Sequence, residues 1–180
     1  MAKAIDVAKF FIEIVGSSAS EDAITNLRIN KLLYFAQAYS LQSLGYFLID
    51  DDFQAWTHGP VIPSIYRIYK KFGKNAIQEE PFDRSSLTRE EQLYLLDIIR
   101  KYKNDSTSAL VAKSHTKGSP WDKAYGLSVG QVIPKEEIKA YFKNEPKVES
   151  FSPNYEEEDY IGYRDNSGTL IIPMDSSYAK

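Results

Sequence analysis

Apolar residues recur every three or four positions over residues 3–15, which predicts an amphipathic helix. A second helix is predicted from Thr25, a suitable N-cap, to Leu44, with Gly45 as its stop. Its apolar residues occupy nearly every face, as expected of a buried central helix. The inward stripe of the first helix consists of Ala4, Val7, Phe11 and Ile14, with Ala8 and Val15 beside it.

Shorter elements follow. Residues 50–52 are three aspartates that predict a turn, and the FQAW sequence after them predicts a short extended segment. Pro63 suits the first position of a short helix, and Gly73 follows its last residue. A short strand is expected at residues 76–78. The inward stripe of the short helix is predicted to be Ile65, Ile68, Tyr69 and Phe72.

The pattern remains helical further along. Thr88 and Glu91 form a capping box that opens a helix to about Tyr102. Ser106 is a second cap, for a helix through Ser114, and Pro134 begins the helix KEEIKAYF. A turn is expected at Ser119, Pro120 and Trp121. Leu95, Ile99 and Tyr102 are expected to face inward. The fold class is therefore mainly α, a single compact helical domain with a small β element.

The residue composition of the chain changes after Asn144. Residues 145–180 begin with a polar, acidic, proline-marked stretch that predicts a linker. Two short β-like runs around a DNSG turn then predict a hairpin at residues 160–172. A lone hairpin is marginally stable, so it must pack on the body, pair with a partner, or be only partly ordered. We divide the chain into a helical domain, 1–144, and a C-terminal extension, 145–180.

Composition narrows the function classes. The 180 residues include no cysteine, which excludes disulfides and thiolate metal sites and favours a cytoplasmic location. The first fifteen residues lack the apolar stretch of a signal peptide, and no segment approaches the ~18 apolar residues of a membrane span. A net charge of −3 argues against general nucleic-acid binding.

Candidate chemistry is sparse. His58 and His115 are the two histidines, and neither has carboxylates at metal-binding spacing. No nucleotide-binding glycine pattern or G-x-S-x-G elbow is present, so we predict no cofactor, no metal and no enzymatic activity. A hydrolase that uses both histidines remains an alternative, because catalytic groups need only be close in space. The simpler interpretation is that His58 caps a turn through hydrogen bonds.

A basic face is predicted on the short helix after Pro63. Arg67, Lys70 and Lys71 point away from its apolar stripe, with Tyr66 beside them. Such a face is either simply solvated or a docking surface for an acidic partner, and tyrosine is enriched at protein interfaces. Residues 145–180 carry a net charge of −5, whereas residues 1–144 carry +2. The acidic extension could therefore cover this face when no partner is bound.

Two sequence stretches resemble a known family. The first is NKLLYFAQAYSL, and the second, about twenty residues later, is AWTHGPVIPSIYRIYKKFG. Together with SHTKGSPW and IPKEEIKAYF downstream, they resemble the Panacea antitoxin domain, which includes SocA-like and phage-associated GepA-like proteins. The resemblance covers about residues 5–144. The residues that match the motif are Lys31, Leu32, Tyr34, Gln37, Trp56, His58, Gly59, Pro60, Tyr69, His115 and Trp121.

This resemblance implies a binding protein rather than an enzyme. Panacea domains neutralise varied protein toxins by direct contact, and the partner is expected to be a toxin encoded by the adjacent gene. SocA-like members are also described as adaptors that deliver a toxin to a Clp-type protease, which remains an alternative. The motif residues are expected to be structural, with Trp56 buried in a turn that holds the tyrosine-rich helix against the central helix. The sequence does not identify the toxin.

Overall fold

The computed structural model describes residues 1–16, 24–78 and 82–149, together with the backbone of residues 163–164 and 170–171. The chain divides into two compact units, Met1–Ser150 and Phe151–Lys180. In the first unit the helices are α1 (Ala4–Val15), α2 (Asn26–Leu44), α3 (Pro63–Tyr69), α4 (Arg89–Tyr102), α5 (Thr107–Ser114), α6 (Pro120–Leu127) and α7 (Lys135–Phe142). Its strands are β1 (Phe53–Trp56), β2 (Gly59–Val61) and β3 (Val132–Ile133), and 3₁₀ turns occupy Lys70–Phe72 and Arg84–Ser86.

The central position of α2 is confirmed. Every residue from 28 to 40 is buried, and α2 contacts α1, α3, α4, α5, α7 and β2. The Thr25 hydroxyl accepts from the Arg28 amide, and Gly45 ends the helix in the left-handed conformation. The capping box of α4 is also confirmed, because Thr88 and Glu91 exchange both of its hydrogen bonds.

The predicted β element is a three-stranded antiparallel sheet of order β2-β1-β3. The β1–β2 hairpin pairs Gln54 with Val61 and Trp56 with Gly59, so Thr57 and His58 form its tip. On the other side of β1, Phe53 pairs with Ile133. The sheet therefore brings the segment before α7 next to a hairpin that comes some eighty residues earlier in the chain.

Two residues of the predicted apolar stripes are exposed. Ile14 is 39% exposed, while Phe10 is buried and meets Phe82 edge-to-face at 5.9 Å. Ile68 is 47% exposed, whereas Ile65 and Tyr69 are buried. The helix α3 is only seven residues long and tightens into a 3₁₀ turn at Lys70. Ile68 lies in the α-helical part, where Ile65 and Tyr69 are only about 40° apart around the helix and Ile68 is about 100° from Tyr69, so the buried stripe is narrower than predicted.

Two local predictions also need correction. Residues 76–78 form no strand. The Ile77 amide donates to the Ile24 carbonyl oxygen at 2.8 Å, but a single bond of this kind does not make a strand ladder. The turn expected at Ser119 is the start of α6, where the Ser119 hydroxyl accepts from the Asp122 amide and Pro120 takes the first helical position.

The body extends past Phe142. Val148 is only 7% exposed and belongs to the core, and Arg100 donates to the Glu149 carbonyl oxygen at 2.6 Å. Residues 145–149, predicted to be linker, thus pack against α4. In the second unit, β4 (Tyr163–Arg164) and β5 (Leu170–Ile171) pair antiparallel, as the predicted hairpin requires, while its turn lies outside the described residues.

None of the helices in the described ranges has both the length and the apolar content needed to cross a bilayer.

Candidate functional site

Polar side chains of α2 bind the backbone of the segment that carries the hairpin and α3. The Asn26 amide donates to the Tyr66 carbonyl oxygen at 3.0 Å, and Asn30 Oδ1 accepts from the Ile62 amide at 3.0 Å. The Asn30 side chain also donates to the Asn26 carbonyl and side-chain oxygens. Both asparagines are buried, so these bonds satisfy groups that would otherwise be costly to bury.

Gln37 of the motif has the same role further along α2. Its side chain donates to the Ile49 carbonyl oxygen at 3.1 Å and accepts from the Ile49 amide at 2.8 Å. The nearby Ser40 hydroxyl accepts from the Leu48 amide at 3.1 Å. The Gln37 side chain therefore satisfies both main-chain groups of Ile49, as a neighbouring strand would, and holds the segment that leads into β1.

Lys31 is the most unusual residue of the motif. It is fully buried, and its amine donates to the Pro60 carbonyl oxygen at 2.8 Å. Burial lowers the pKa of Lys31 to about 7, because charging the amine here would forfeit its hydration. The residue thus joins α2 to β2 as a hydrogen-bond donor that loses its charge near pH 7.

Gly59 makes the approach of Lys31 possible. Its φ of +101° is a conformation that side chains disfavour. A Cβ at this position would lie 2.7 Å from Lys31 Cε and 2.8 Å from both Lys31 Nζ and Ser114 Oγ. The Gly-Pro pair of the motif therefore provides the space that the buried lysine needs and the carbonyl to which it donates.

Leu32, Tyr34 and Tyr69 are core residues, with exposures of 2%, 1% and 6%. The Tyr34 ring packs edge-to-face against Phe53 and Phe142. Burial, and secondarily the nearby Tyr141, raises the pKa of Tyr34 well above its usual value. All three are packing residues, and Tyr34 contacts the hairpin through Phe53.

Trp121 and His115 form a stack beside the hairpin. The centre of the His115 ring lies 3.8 Å from that of the Trp121 ring, and the Tyr125 ring stacks on Trp121 at 4.7 Å. The Trp121 indole nitrogen donates to the Trp56 carbonyl oxygen at 2.9 Å. This contact ties α6 to β1 at the end of the strand nearest the hairpin tip.

Among the described residues, neither histidine side chain forms a hydrogen bond or an ion pair with a carboxylate. His58 is exposed at the tip, and its side chain makes no hydrogen bond within the described part of the chain, contrary to the capping role expected for it. Burial, Lys31 and His58 all lower the pKa of His115. Residues 1–16, 24–78 and 82–149 contain no cluster of three potential metal ligands.

Trp56 is only half-buried, whereas the sequence predicts it to be the buried tryptophan. It meets Tyr66 edge-to-face at 4.9 Å, and its indole nitrogen donates to Gln54 Oε1 at 3.0 Å. Trp121, at 8% exposure, is the tryptophan that fills the interior. Trp56 remains partly open because it stands at the edge of a cleft.

That cleft, between the hairpin, α2 and α3, has a volume of about 420 Å³. We call it the hairpin cleft, and it is lined by Asn26, Leu27, Asn30, Trp56, Thr57, His58, Val61, Tyr66, Lys70, Gly73 and Val129. Of the four predicted partner-binding residues, Tyr66 and Lys70 line it. Lys71 instead lines a cleft of about 210 Å³ on the α1 side of α3, and the exposed Arg67 lines neither.

Sequence reasoning missed Asn26, Asn30 and Val129 as parts of this surface. Asparagine inside a helix that is otherwise apolar all round was the available signal for the first two, since a buried amide needs a partner. No local signal marked Val129, because it reaches the cleft only through the pairing of β3 with β1.

The family of the chain follows from its similarity to known proteins. The profile of the family described as "Antitoxin SocA-like, Panacea domain" matches residues 29–122, just over half of the chain. The chain belongs to this family. The matched Panacea domain runs from within α2 to within α6, and so includes Lys31, the whole β1–β2 hairpin, Ser114 and Trp121.

One relative is "Antitoxin SocA" of Caulobacter vibrioides (strain NA1000 / CB15N), which is 32% identical over 117 residues. The match covers 59% of this chain and 62% of the relative, so the chain spans less than two thirds of that protein's length. No solved structure matches the Panacea-domain chain described here.

Proposed function

We propose that this Panacea-domain protein is an antitoxin that neutralises a protein toxin by direct binding, with the outward face of α3 at the interface. Membership of the family supports the antitoxin role, and the name of the Caulobacter relative agrees with it. The proposal includes a cytoplasmic location, no catalytic role, and a toxin encoded by the adjacent gene.

The observation that supports this interface is the positive charge on α3 and on the 3₁₀ turn that follows it. Arg67, Lys70 and Lys71 are exposed, and none forms an ion pair with another residue of the described ranges. Tyr66 lies beside them, held by Trp56. Arginine and tyrosine are frequent anchors of protein interfaces, and a uniform cationic face accelerates encounter with an acidic partner.

The experiment is co-expression of the chain with the product of the adjacent gene, scored by growth and by co-purification. Reversing both charges, Lys70→Glu with Lys71→Glu, should slow association, and the effect should weaken as salt rises. Tyr66→Ala should instead raise the dissociation rate. Lys103→Glu with Lys143→Glu is the matched control, because both of these lysines are exposed, directly follow α4 and α7, and do not line the hairpin cleft.

Circular dichroism must first show that each variant is folded. The interface is elsewhere if the folded α3 variants neutralise and co-purify like the parent. A toxin that disappears from cells expressing the wild-type chain, and persists when the Clp-type protease is deleted, would indicate the adaptor mechanism.

A further inference from the structure

Three polar side chains that line the hairpin cleft, those of Asn26, Asn30 and Trp56, already have hydrogen-bond partners within the protein. Asn30 Oδ1 accepts from the Ile62 amide, the Asn26 amide donates to the Tyr66 carbonyl, and the Trp56 indole nitrogen donates to Gln54. A ligand that depended on these groups for hydrogen bonds would have to break internal ones. Leu27, Val61 and the Trp56 ring add apolar surface to the lining, which suits an apolar group.

The apolar surface continues beyond the cleft. Val129, which lines the cleft, is 65% exposed, and Leu127 at the end of α6 is 78% exposed. The loop that presents them is fixed, because the Ala55 amide donates to the Gln131 carbonyl oxygen at 2.8 Å and the Ala55 carbonyl accepts from the Gly130 amide at 2.7 Å. Exposed apolar side chains grouped on a fixed loop beside a cleft are typical of a binding surface. We call Leu127 and Val129 the apolar lip.

The charged groups of the cleft have one sign. Lys70 is the cation in its lining, and no carboxylate is among the lining residues. Arg67 extends the positive surface on the outer side of α3. The cleft thus combines apolar lining residues with a positive charge that favours an anion.

We infer that the hairpin cleft binds a protein segment in which a large apolar side chain is flanked by carboxylates. The apolar side chain enters between Trp56 and Val129, and a flanking carboxylate pairs with Lys70. The neighbouring residues of the segment cover the apolar lip, which a small molecule confined to the cleft would leave exposed. This inference rests on the proposed antitoxin function and names the chemistry of the toxin segment at the interface.

The first test needs no toxin. The full-length chain, labelled with ¹⁵N, is titrated with the end-blocked peptide acetyl-Glu-Phe-Glu-amide and followed by NMR. The indole N–H signal of Trp56 should shift, while that of the buried Trp121 should move less. Acetyl-Lys-Phe-Lys-amide and acetyl-Glu-Ala-Glu-amide should each bind at least about tenfold more weakly, since one loses the charge match and the other the apolar anchor.

Val129→Asp should weaken binding of the acidic peptide by at least about fivefold, since it places a carboxylate at the apolar lip. Leu93→Asp is the matched control: Leu93 is 54% exposed, lies on α4, and does not line the cleft, so its variant should bind like the parent. Equal binding of all three peptides, no shift of Trp56, or binding of free phenylacetate without any peptide would overturn the inference. The last result would make the cleft a small-molecule site.

The second test uses the toxin complex. Val129→Asp should reduce co-purification, whereas Leu93→Asp should not. If Val129→Asp co-purifies like the parent while the Lys70 and Lys71 reversal does not, the cleft inference fails and the proposed α3 interface stands. If the wild-type chain neutralises no product of the adjacent gene, the proposed function fails, and the peptide titration still decides whether the cleft has this specificity.

Discussion

The Lys31 side-chain nitrogen donates to the Pro60 carbonyl oxygen at 2.8 Å, and this buried bond joins the central helix to the hairpin. The long lysine side chain spans the distance from α2 to β2, and Gly59 leaves room for it. The bond needs the amine as a donor but not its charge, because a neutral amine still carries two N–H groups. The motif lysine can therefore be buried without a carboxylate partner.

We predict that Lys31 makes stability depend on pH. Its pKa is about 7 in the folded chain against 10.5 for an exposed lysine, so the unfolded chain binds more protons between these limits. The free energy of unfolding should therefore rise with pH across this window, by up to about 1.4 kcal/mol per pH unit from this residue.

Lys31→Met is the comparison, because it keeps the approximate length of the side chain and removes the titration. Urea unfolding of both proteins at three pH values that span the window, from near neutral to alkaline, gives the difference in unfolding free energy. The unfolding free energy of the parent should rise relative to that of the variant at each increase in pH. A constant difference would show that Lys31 is charged in the folded chain.

Gly59→Ala should destabilise the domain by roughly 2–5 kcal/mol, since the new Cβ combines a disfavoured backbone conformation with overlap of buried side chains. Gly45→Ala is the control, because Gly45 has a φ of +80° and no atom within 4 Å of an added Cβ. It should cost about 1–2 kcal/mol from the backbone alone. Equal losses in thermal or urea unfolding would mean that Gly59 is needed for its backbone conformation alone.

Trp121→Ala should cost about 3–5 kcal/mol, as for other large buried aromatics, because it removes the stack with His115 and the bond to Trp56. Trp56→Ala should cost less, since half-buried Trp56 loses less packing. Chemical unfolding of the two variants shows directly which substitution lowers the free energy of unfolding more. The reverse order would assign the principal packing role to Trp56.

A chain ending at residue 150 should unfold like the full-length protein, whereas one ending at residue 144 should be less stable. The shorter chain loses buried Val148 and the contact of Arg100 with Glu149. Burying a valine side chain is worth about 1.5–3 kcal/mol. Thermal melts of both truncations give the comparison, and indistinguishable melts would place residues 145–149 outside the cooperative unit.

Local signals predicted the helices well. The cap of α2 at Thr25, the capping box of α4 and the span of α7 are all short-range features, and the structure has them where the sequence places them. The predicted stripes were wrong at Ile14 and Ile68, because periodicity does not show how wide a stripe the tertiary packing will cover.

The candidate site was only partly predictable. Tyr66 and Lys70 line the hairpin cleft, but Val129 comes from a loop about sixty residues later and is placed there by long-range strand pairing. Periodicity carries no information about such pairing. Likewise, nothing in the local sequence distinguishes Trp56, at the edge of the cleft, from Trp121 in the interior.

The bonds from α2 to the hairpin segment have a consequence for sequence drift. Asn26, Asn30, Lys31, Gln37 and Ser40 all bind main-chain atoms of residues 48–66. A main-chain carbonyl is present whatever side chain its residue carries, and so is a main-chain amide unless the residue is proline. These bonds therefore do not depend on the identity of the outward side chains. Substitutions at outward positions such as Thr57 and Tyr66 can therefore leave these bonds, and the position of the hairpin, unchanged. The architecture thus separates the side chains that hold the hairpin in place from the outward side chains that can change to suit a new partner.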